Sequence, residues 1–317
     1  MAKTLIEVKH LKKYFPTPKG MLHAVDDVTF SIGEGQTMGV VGESGCGKST
    51  LGRTLIHLYE STDGQILFKG KDITHVGKRK LHELRKEMQI IFQDPFASLN
   101  PRMTVQETIM EPLELAGYHK SKLMDKTEEI MDMVGIDERL RHSYPHELDG
   151  GRRQRVGIGR ALALDPAFVV CDEPVSALDV SIQAQVLNLL QDLQAKSGVT
   201  YMFVTHDLSV VKHISDYICV MYLGQLVETT TSRELFAHPV HPYTKALLSA
   251  IPSVDIHHKR ERILLQGEIV SPVEPKPGCR FAARCPYATK QCQEPQQLRE
   301  IGKEHFVSCC RAEEIGG

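Results

Sequence analysis

The sequence has no excess of either charge: 38 Lys and Arg stand against 40 Asp and Glu, for a formal net charge of -2. Wrapping nucleic acid requires a basic field, so no nucleic-acid partner is expected. No apolar run approaches the ~20 residues of a spanning helix. The start, MAKTLIEVKH, lacks the basic-then-apolar pattern of a secretion signal. These absences lead us to expect a soluble cytoplasmic protein, able to dock peripherally on membrane partners. Eight cysteines without a secretion signal do not suggest a disulfide framework. The tight C-x2-C knuckle with which zinc sites commonly start is also missing. A length of 317 residues suits one large α/β domain plus an appendage.

What is present centres on residues 42–50, GESGCGKST. The string fits G-x-x-x-x-G-K-[ST], a loop whose backbone N–H groups wrap phosphate oxygens while a lysine adds a point charge and a hydroxyl reaches Mg2+. The apolar run 38–41 reads as a buried strand before it, and 50–58 as a helix start after it, the context the motif requires.

Upstream, residues 4–9 and 24–32 alternate as strands and predict an antiparallel pair. Tyr14 and Phe15 beside Pro16 and Pro18 offer an aromatic that either stacks on a nucleobase or fills a gap between strands. The basic-rich run 78–85 is loosely helical. The strand 88–92 then ends on Gln93, a polar amide at the carboxyl end of a strand, where open α/β sheets bind ligands. Amphipathic helices are expected over 104–117 and 122–134.

Gly150 and Gly151 open a helical run reaching 164, exposing N–H groups at a positive dipole end, with Asp149 before them as an alternative helix cap. The strand 168–171 ends in Asp172 and Glu173. Such a pair can hold Mg2+ through one carboxylate and polarise a water with the other. Asp179 precedes a helix to about residue 196, and the strand 201–204 ends in Thr205, His206 and Asp207. Four polar strand ends with one phosphate loop form a constellation more specific than any single motif.

In this order the motifs resemble the nucleotide-binding subunit of an ABC transporter over roughly residues 4–250. PVHPYTKALLSAIP at 239–252, with the cysteine-bearing tail, resembles the dipeptide/oligopeptide and nickel importer branch. The resemblance implies an ABC-type P-loop NTPase core of the α/β class, with an antiparallel β subdomain and an α-helical subdomain at about 95–160. It places the nucleotide-binding domain at 1–250 and a small Cys-rich C-terminal extension at 251–317. It implies an ATPase using ATP and Mg2+. Gly42, Ser44, Gly45, Cys46, Gly47, Lys48, Ser49 and Thr50 would form the phosphate loop, with Lys48 and the amides of Gly45 and Gly47 on the β- and γ-phosphates. Ser49 and Gln93 would ligate Mg2+, and Asp172 would support it through water. Glu173 would be general base, His206 would contact the γ-phosphate and Asp179 would lie in the D-loop. Phe15, by the spacing Leu11, Lys13, Phe15, would be the adenine-stacking ring. The implied partners are two membrane permeases, touched by residues 96–100, an extracytoplasmic binding protein and a second ATPase subunit. The cargo stays open between di- or oligopeptide and nickel or another small solute.

Two departures stand out. The family signature usually reads LSGGQ, whereas this chain has Leu148, Asp149, Gly150, Gly151 and Arg152. A carboxylate ~4 Å from a triphosphate at an effective dielectric near 20 costs energy on the kcal/mol scale. Asp149 therefore favours a heterodimer with one weaker site, unless Arg152 or helix capping turns it away. In the tail, Cys279, Cys285, Cys292 and Cys309 leave five, six and sixteen residues between successive thiols, with Cys310 able to replace Cys309. Four thiolates suit a [4Fe–4S] cluster, and peptide-importer ATPases similar to this chain can carry one; zinc or unligated thiols are the alternatives. A redox- or iron-sensing subunit is then a competing function. Action on ribosomes or in DNA repair predicts two cassettes or a long coiled-coil insertion, and neither is in the sequence.

Overall fold

The computed structural model describes residues 3–251, 262–265, 267 and 271–316. In chain order, β1 (Thr4–Thr17), β2 (Gly20–Gly33) and β3 (Thr37–Val41) lead to α1 (Lys48–Leu55), β4 (Asp63–Phe68) and β5 (Lys71–Asp72). Next come α2 (Lys78–Glu87), β6 (Met88–Ile91), α3 (Pro95–Ser98), α4 (Val105–Leu115), α5 (Lys120–Met133) and α6 (Gly150–Leu162). They are followed by β7 (Phe168–Asp172), α7 (Val180–Ser197), β8 (Thr200–Thr205), α8 (Leu208–Ile214), β9 (Tyr217–Tyr222) and β10 (Gln225–Thr231). The chain closes with α9 (Ser232–Ala237), α10 (Pro242–Ser249), β11 (Arg299–Gly302), β12 (His305–Val307) and α11 (Ala312–Ile315). These elements fall into two units, one of residues 33–36 and 75–204 with Lys3, the other of 4–32, 37–74 and the described residues from 205 onward.

The first unit is built on parallel strands in the order β6, β7, β8, with Ile91 opposite Cys171 and Asp172 opposite Val204. Every residue of β7 and β8 is buried, as expected of strands covered on both faces. Its helices α4, α5 and α6 pack on one another. Close approach is possible because Gly159 presents no side chain: a Cβ there would lie 3.2 Å from Ile130 Cγ2 and 3.5 Å from Ile109 Cδ1. α4 starts on a reciprocal cap, Thr104 accepting from the Glu107 N–H at 3.3 Å while Glu107 accepts from the Thr104 N–H at 2.7 Å.

The second unit carries a four-stranded sheet, β2, β1, β4, β5, and a run of strands in the order β11, β12, β10, β9, β3. β1 and β2 are 14 residues each, longer than their alternation suggests. Pairing with β4 organises β1 through Lys12, past a bulge near the left-handed His10 (φ 48°). Pro16 lies beyond that pairing with β4. β3 runs parallel to β9, and the remaining pairs are antiparallel. β11 and β12, beyond residue 250, thus extend the strand run that begins with β3.

That extension is locked by a buried carboxylate. Glu228 on β10 is fully buried and accepts from the Val240 N–H at 2.8 Å and the His241 N–H at 2.9 Å, and it pairs with His305 Nε2 at 2.8 Å. His241, buried at the start of α10, has its pKa pulled down to about 4 by burial, and its neutral Nδ1 accepts from the Tyr243 N–H at 3.1 Å. Replacing Glu228 by Ala strands two buried N–H groups and His305. We expect a loss of about 3 kcal/mol in urea unfolding, with Glu228→Gln losing less because its amide oxygen still accepts. An unchanged unfolding midpoint in Glu228→Ala would contradict this account.

Candidate nucleotide-binding site

In the second unit, the loop from β3 to α1 takes its shape from two glycines. Gly42 (φ 155°) and Gly47 (φ 105°) sit where a Cβ would lie 2.1 Å from Met221 O and 2.0 Å from Ala24 O. No other residue fits, so the backbone turns tightly and α1 starts at Lys48 with its first N–H groups unpaired within the helix. Gly45 (φ 78°) has open space around it, and with Ser44 it is exposed. Lys48 is buried and donates to the carbonyls of Gly42 at 2.8 Å and Glu43 at 3.0 Å. Cys46 is also buried, and burial pushes its thiol pKa up. Ser49 and Thr50 are half-buried on the first turn of α1, and the Thr50 carbonyl accepts from Thr54 Oγ1 at 2.7 Å.

The aromatics left open by the sequence separate here. Tyr14 stacks on His23 with ring centres 3.8 Å apart and donates its hydroxyl to Asp26. Burial, then that bond, raises its pKa. Phe15 meets the edge of Tyr59 at 5.5 Å, with the Lys13 ammonium 4.8 Å from its ring centre. His206 is exposed between Thr205, whose Oγ1 accepts from the Asp207 N–H at 3.1 Å, and Asp207, which accepts from the Ser209 N–H at 2.7 Å and caps α8.

In the first unit, Asp172 ends β7 almost wholly buried, and Glu173 follows it in a left-handed conformation (φ 49°). A non-glycine residue there stores strain of order 1 kcal/mol, and such strain gathers at functional positions. The Glu173 N–H donates to Val204 O at 2.9 Å, and Gln93 Nε2 donates to Glu173 Oε2 at 2.8 Å. Two polar strand ends are thereby joined directly. Asp179 is exposed at the start of α7 and makes no side-chain cap bond.

Asp149 caps α6. Its Oδ1 accepts from the Arg152 N–H at 2.7 Å and its Oδ2 lies 3.4 Å from Arg152 Nη1. The carboxylate is therefore turned to its own helix and its own arginine, which weakens the electrostatic reason for expecting a weaker opposite site. Gly150 and Gly151 pack under α7 and the turn before it: a Cβ on Gly151 would lie 2.7 Å from Ile182 Cγ2, and one on Gly150 3.2 Å from Leu178 Cδ2.

The tail lends the metal expectation no support. Among the described residues, no group of three or more His, Cys, Asp or Glu side chains gathers as a metal site. The donor set for a four-thiolate iron–sulfur or zinc centre is thus not assembled. The close thiol pair is Cys292 with Cys310, at 3.8 Å, while Cys309 packs against Val240, Val307 and Ala312 as a small apolar side chain. Burial pushes Cys279 up to about 12, aided by the neighbouring Cys292, Cys309 and Cys285, and also raises Cys285 and Cys309.

Sequence reasoning missed two residues that hold the phosphate loop. The hydroxyl of buried Tyr243 accepts from the Glu43 N–H at 2.8 Å, and Arg284 grips the Glu43 carboxylate at 2.7 and 3.1 Å. The 239–252 string flags the neighbourhood of Tyr243, whereas no local pattern flags Arg284.

The comparisons with known proteins accord with this geometry. The family model described as ABC transporter matches residues 25–176, and that of the oligopeptide/dipeptide transporter C-terminal region matches 227–292. The oligopeptide transport ATP-binding protein AppF of Bacillus subtilis is 51% identical, over 96% of this chain and 97% of its own. OppF of the same organism, also an oligopeptide transport ATP-binding protein, is 49% identical over 99% and 98%. Among solved structures, the dimeric post-hydrolysis ATP-binding cassette MJ0796, bound to ADP and Pi, superposes with a TM-score of 0.67 at 27% identity, covering 72% of this chain and 99% of that one. With a nine-residue phosphate loop, a glutamate after the buried β7 aspartate and full-length likeness to such proteins, the chain belongs to the ABC transporter ATPases, in the oligopeptide/dipeptide transporter branch.

Proposed function

We propose that this chain hydrolyses ATP to power import of di- or oligopeptides through two membrane permeases, supplied by an extracytoplasmic binding protein. The observation that carries the reading is the phosphate loop: glycines that no other residue can replace, a buried lysine and a helix start aimed at one anion. The peptide cargo is supported by the C-terminal family match and by the relatives' names. Docking is peripheral, on the permeases at the cytoplasmic face; among the described residues no helix is long and apolar enough to cross a membrane. Residues 1–250 form the nucleotide-binding domain, with its helical part at 95–160, and 251–317 the extension.

Lys48 and the amides of Gly45 and Gly47 hold the β- and γ-phosphates, with the rest of the 42–50 loop around them. Phe15 stacks on adenine, since Tyr14 is committed to His23 and Asp26. Ser49, Gln93 and Asp172 offer oxygen donors of the kind Mg2+ prefers, and the ion, when bound with ATP, neutralises phosphate charge. Glu173 accepts the proton of the attacking water, held in orientation by the Gln93 amide. His206 contacts the γ-phosphate. Asp149, Gly150 and Gly151 present the α6 start, and Asp179 the adjoining turn, to a second ATPase subunit. The pairing is proposed as two ATPase subunits without the asymmetry that Asp149 suggested. No step is assigned to a metal at the tail thiols.

In the assembled transporter, Glu173→Gln is expected to lower ATP turnover by about 10²–10⁴-fold while ATP binding persists. Turnover at the unaltered rate would overturn the assignment. Asp149→Ser, an equally good cap, is expected to leave turnover within about twofold. A several-fold rise would reinstate an inhibitory charge.

A further inference from the structure

Glu43, the second residue of the phosphate loop, has each of its polar groups engaged. Its carbonyl accepts from Lys48 Nζ at 3.0 Å and from the Cys46 N–H at 3.3 Å. Its N–H donates to Tyr243 Oη at 2.8 Å, and both carboxylate oxygens take the Arg284 fork at 2.7 and 3.1 Å. Arg284 itself is only 9% exposed at its side chain. It ends a short helical turn (Ala282–Arg284) whose preceding residue, Phe281, is buried among Tyr222, Tyr243 and His241, with ring centres 5.3 to 5.6 Å away. Arg280, one residue before Phe281, donates to Leu223 O and to Asp26. The segment is thus fixed by a buried ring and a second arginine before Arg284 reaches the loop.

A carboxylate in a loop that receives a polyphosphate repels its ligand unless it is neutralised, and a loop that must present amides binds more weakly if it is free to move. Arg284 answers both needs: its paired N–H groups cancel the Glu43 charge and fix its direction, a geometry lysine cannot copy. We propose that Arg284, contributed by the C-terminal extension, is a positioning residue for the phosphate loop that acts through Glu43 to set nucleotide affinity. This rests on reading residues 42–50 as the nucleotide site.

The test is titration of the full-length chain with MgATPγS for wild type, Arg284→Met, Arg284→Lys, Glu43→Gln and Glu43→Gln/Arg284→Met, with thermal melts to identify folded variants. Arg284→Met is expected to weaken binding about tenfold, the scale of a lost charged hydrogen-bond pair. Arg284→Lys is expected to fall between it and wild type. In the Glu43→Gln background, the Met substitution is expected to add less than about twofold, because its target charge is gone. Wild-type affinity in folded Arg284→Met, or the same tenfold loss in both backgrounds, would overturn the inference. Should Arg284→Met fail to fold, Arg284→Lys decides alone: wild-type affinity in it refutes the fork. A wild-type chain that binds no MgATPγS refutes the nucleotide site itself, a different outcome from either.

Discussion

A loop that offers its own N–H groups to an anion has to bend where side chains would collide. In this chain the bend is enforced at both ends: at Gly42 by the Met221 carbonyl and at Gly47 by the Ala24 carbonyl. Those carbonyls belong to β9 and β2, so the loop inherits its shape from strands that pack around it. β3 is buried up to Gly42, and α1 begins at Lys48 with its first amides unpaired within the helix. The Gly224 N–H, donating to Cys46 O at 2.8 Å, ties the middle of the loop to the turn after β9. The loop's geometry is first a matter of backbone confinement and only then of charge.

The acidic strand end follows a parallel logic in its own unit. β7 is buried throughout, so the chain has no freedom until Asp172, and Glu173 then turns into a left-handed conformation held by Val204 and Gln93. Strain at that point fixes the direction of one carboxylate. A residue that must orient a water benefits from such fixing more than the fold suffers from its cost.

Much of this was legible in the chain. The phosphate loop, the Asp172 and Glu173 pair and the glycines that open α6 are short strings whose physics is contained in a few neighbouring residues. The parallel strands announced themselves as continuous apolar runs. What could not be read was long-range: Arg284 reaches Glu43 across 241 positions, and Glu228 finds His305 across 77. Alternation showed only the ends of β1 nearest its pairing, because the rest of the strand depends on partners elsewhere. Asp149 shows a reading that the sequence left open. Its identity suggested a charge facing a partner's nucleotide, but a carboxylate at a helix start is better satisfied by the Arg152 amide and guanidinium. The tail thiols are read from their number, spacing and resemblance, none of which says that Cys309 packs against Val240 and Val307 while Cys310 meets Cys292.

The central claim is that the backbone of residues 42–50 is the group that holds the nucleotide's phosphates. Hydrogen–deuterium exchange of this loop, with and without MgATP, addresses it at the atoms concerned. The account predicts that amides 45–48 exchange markedly more slowly once nucleotide is bound. Nucleotide binding that leaves their exchange unchanged would contradict it.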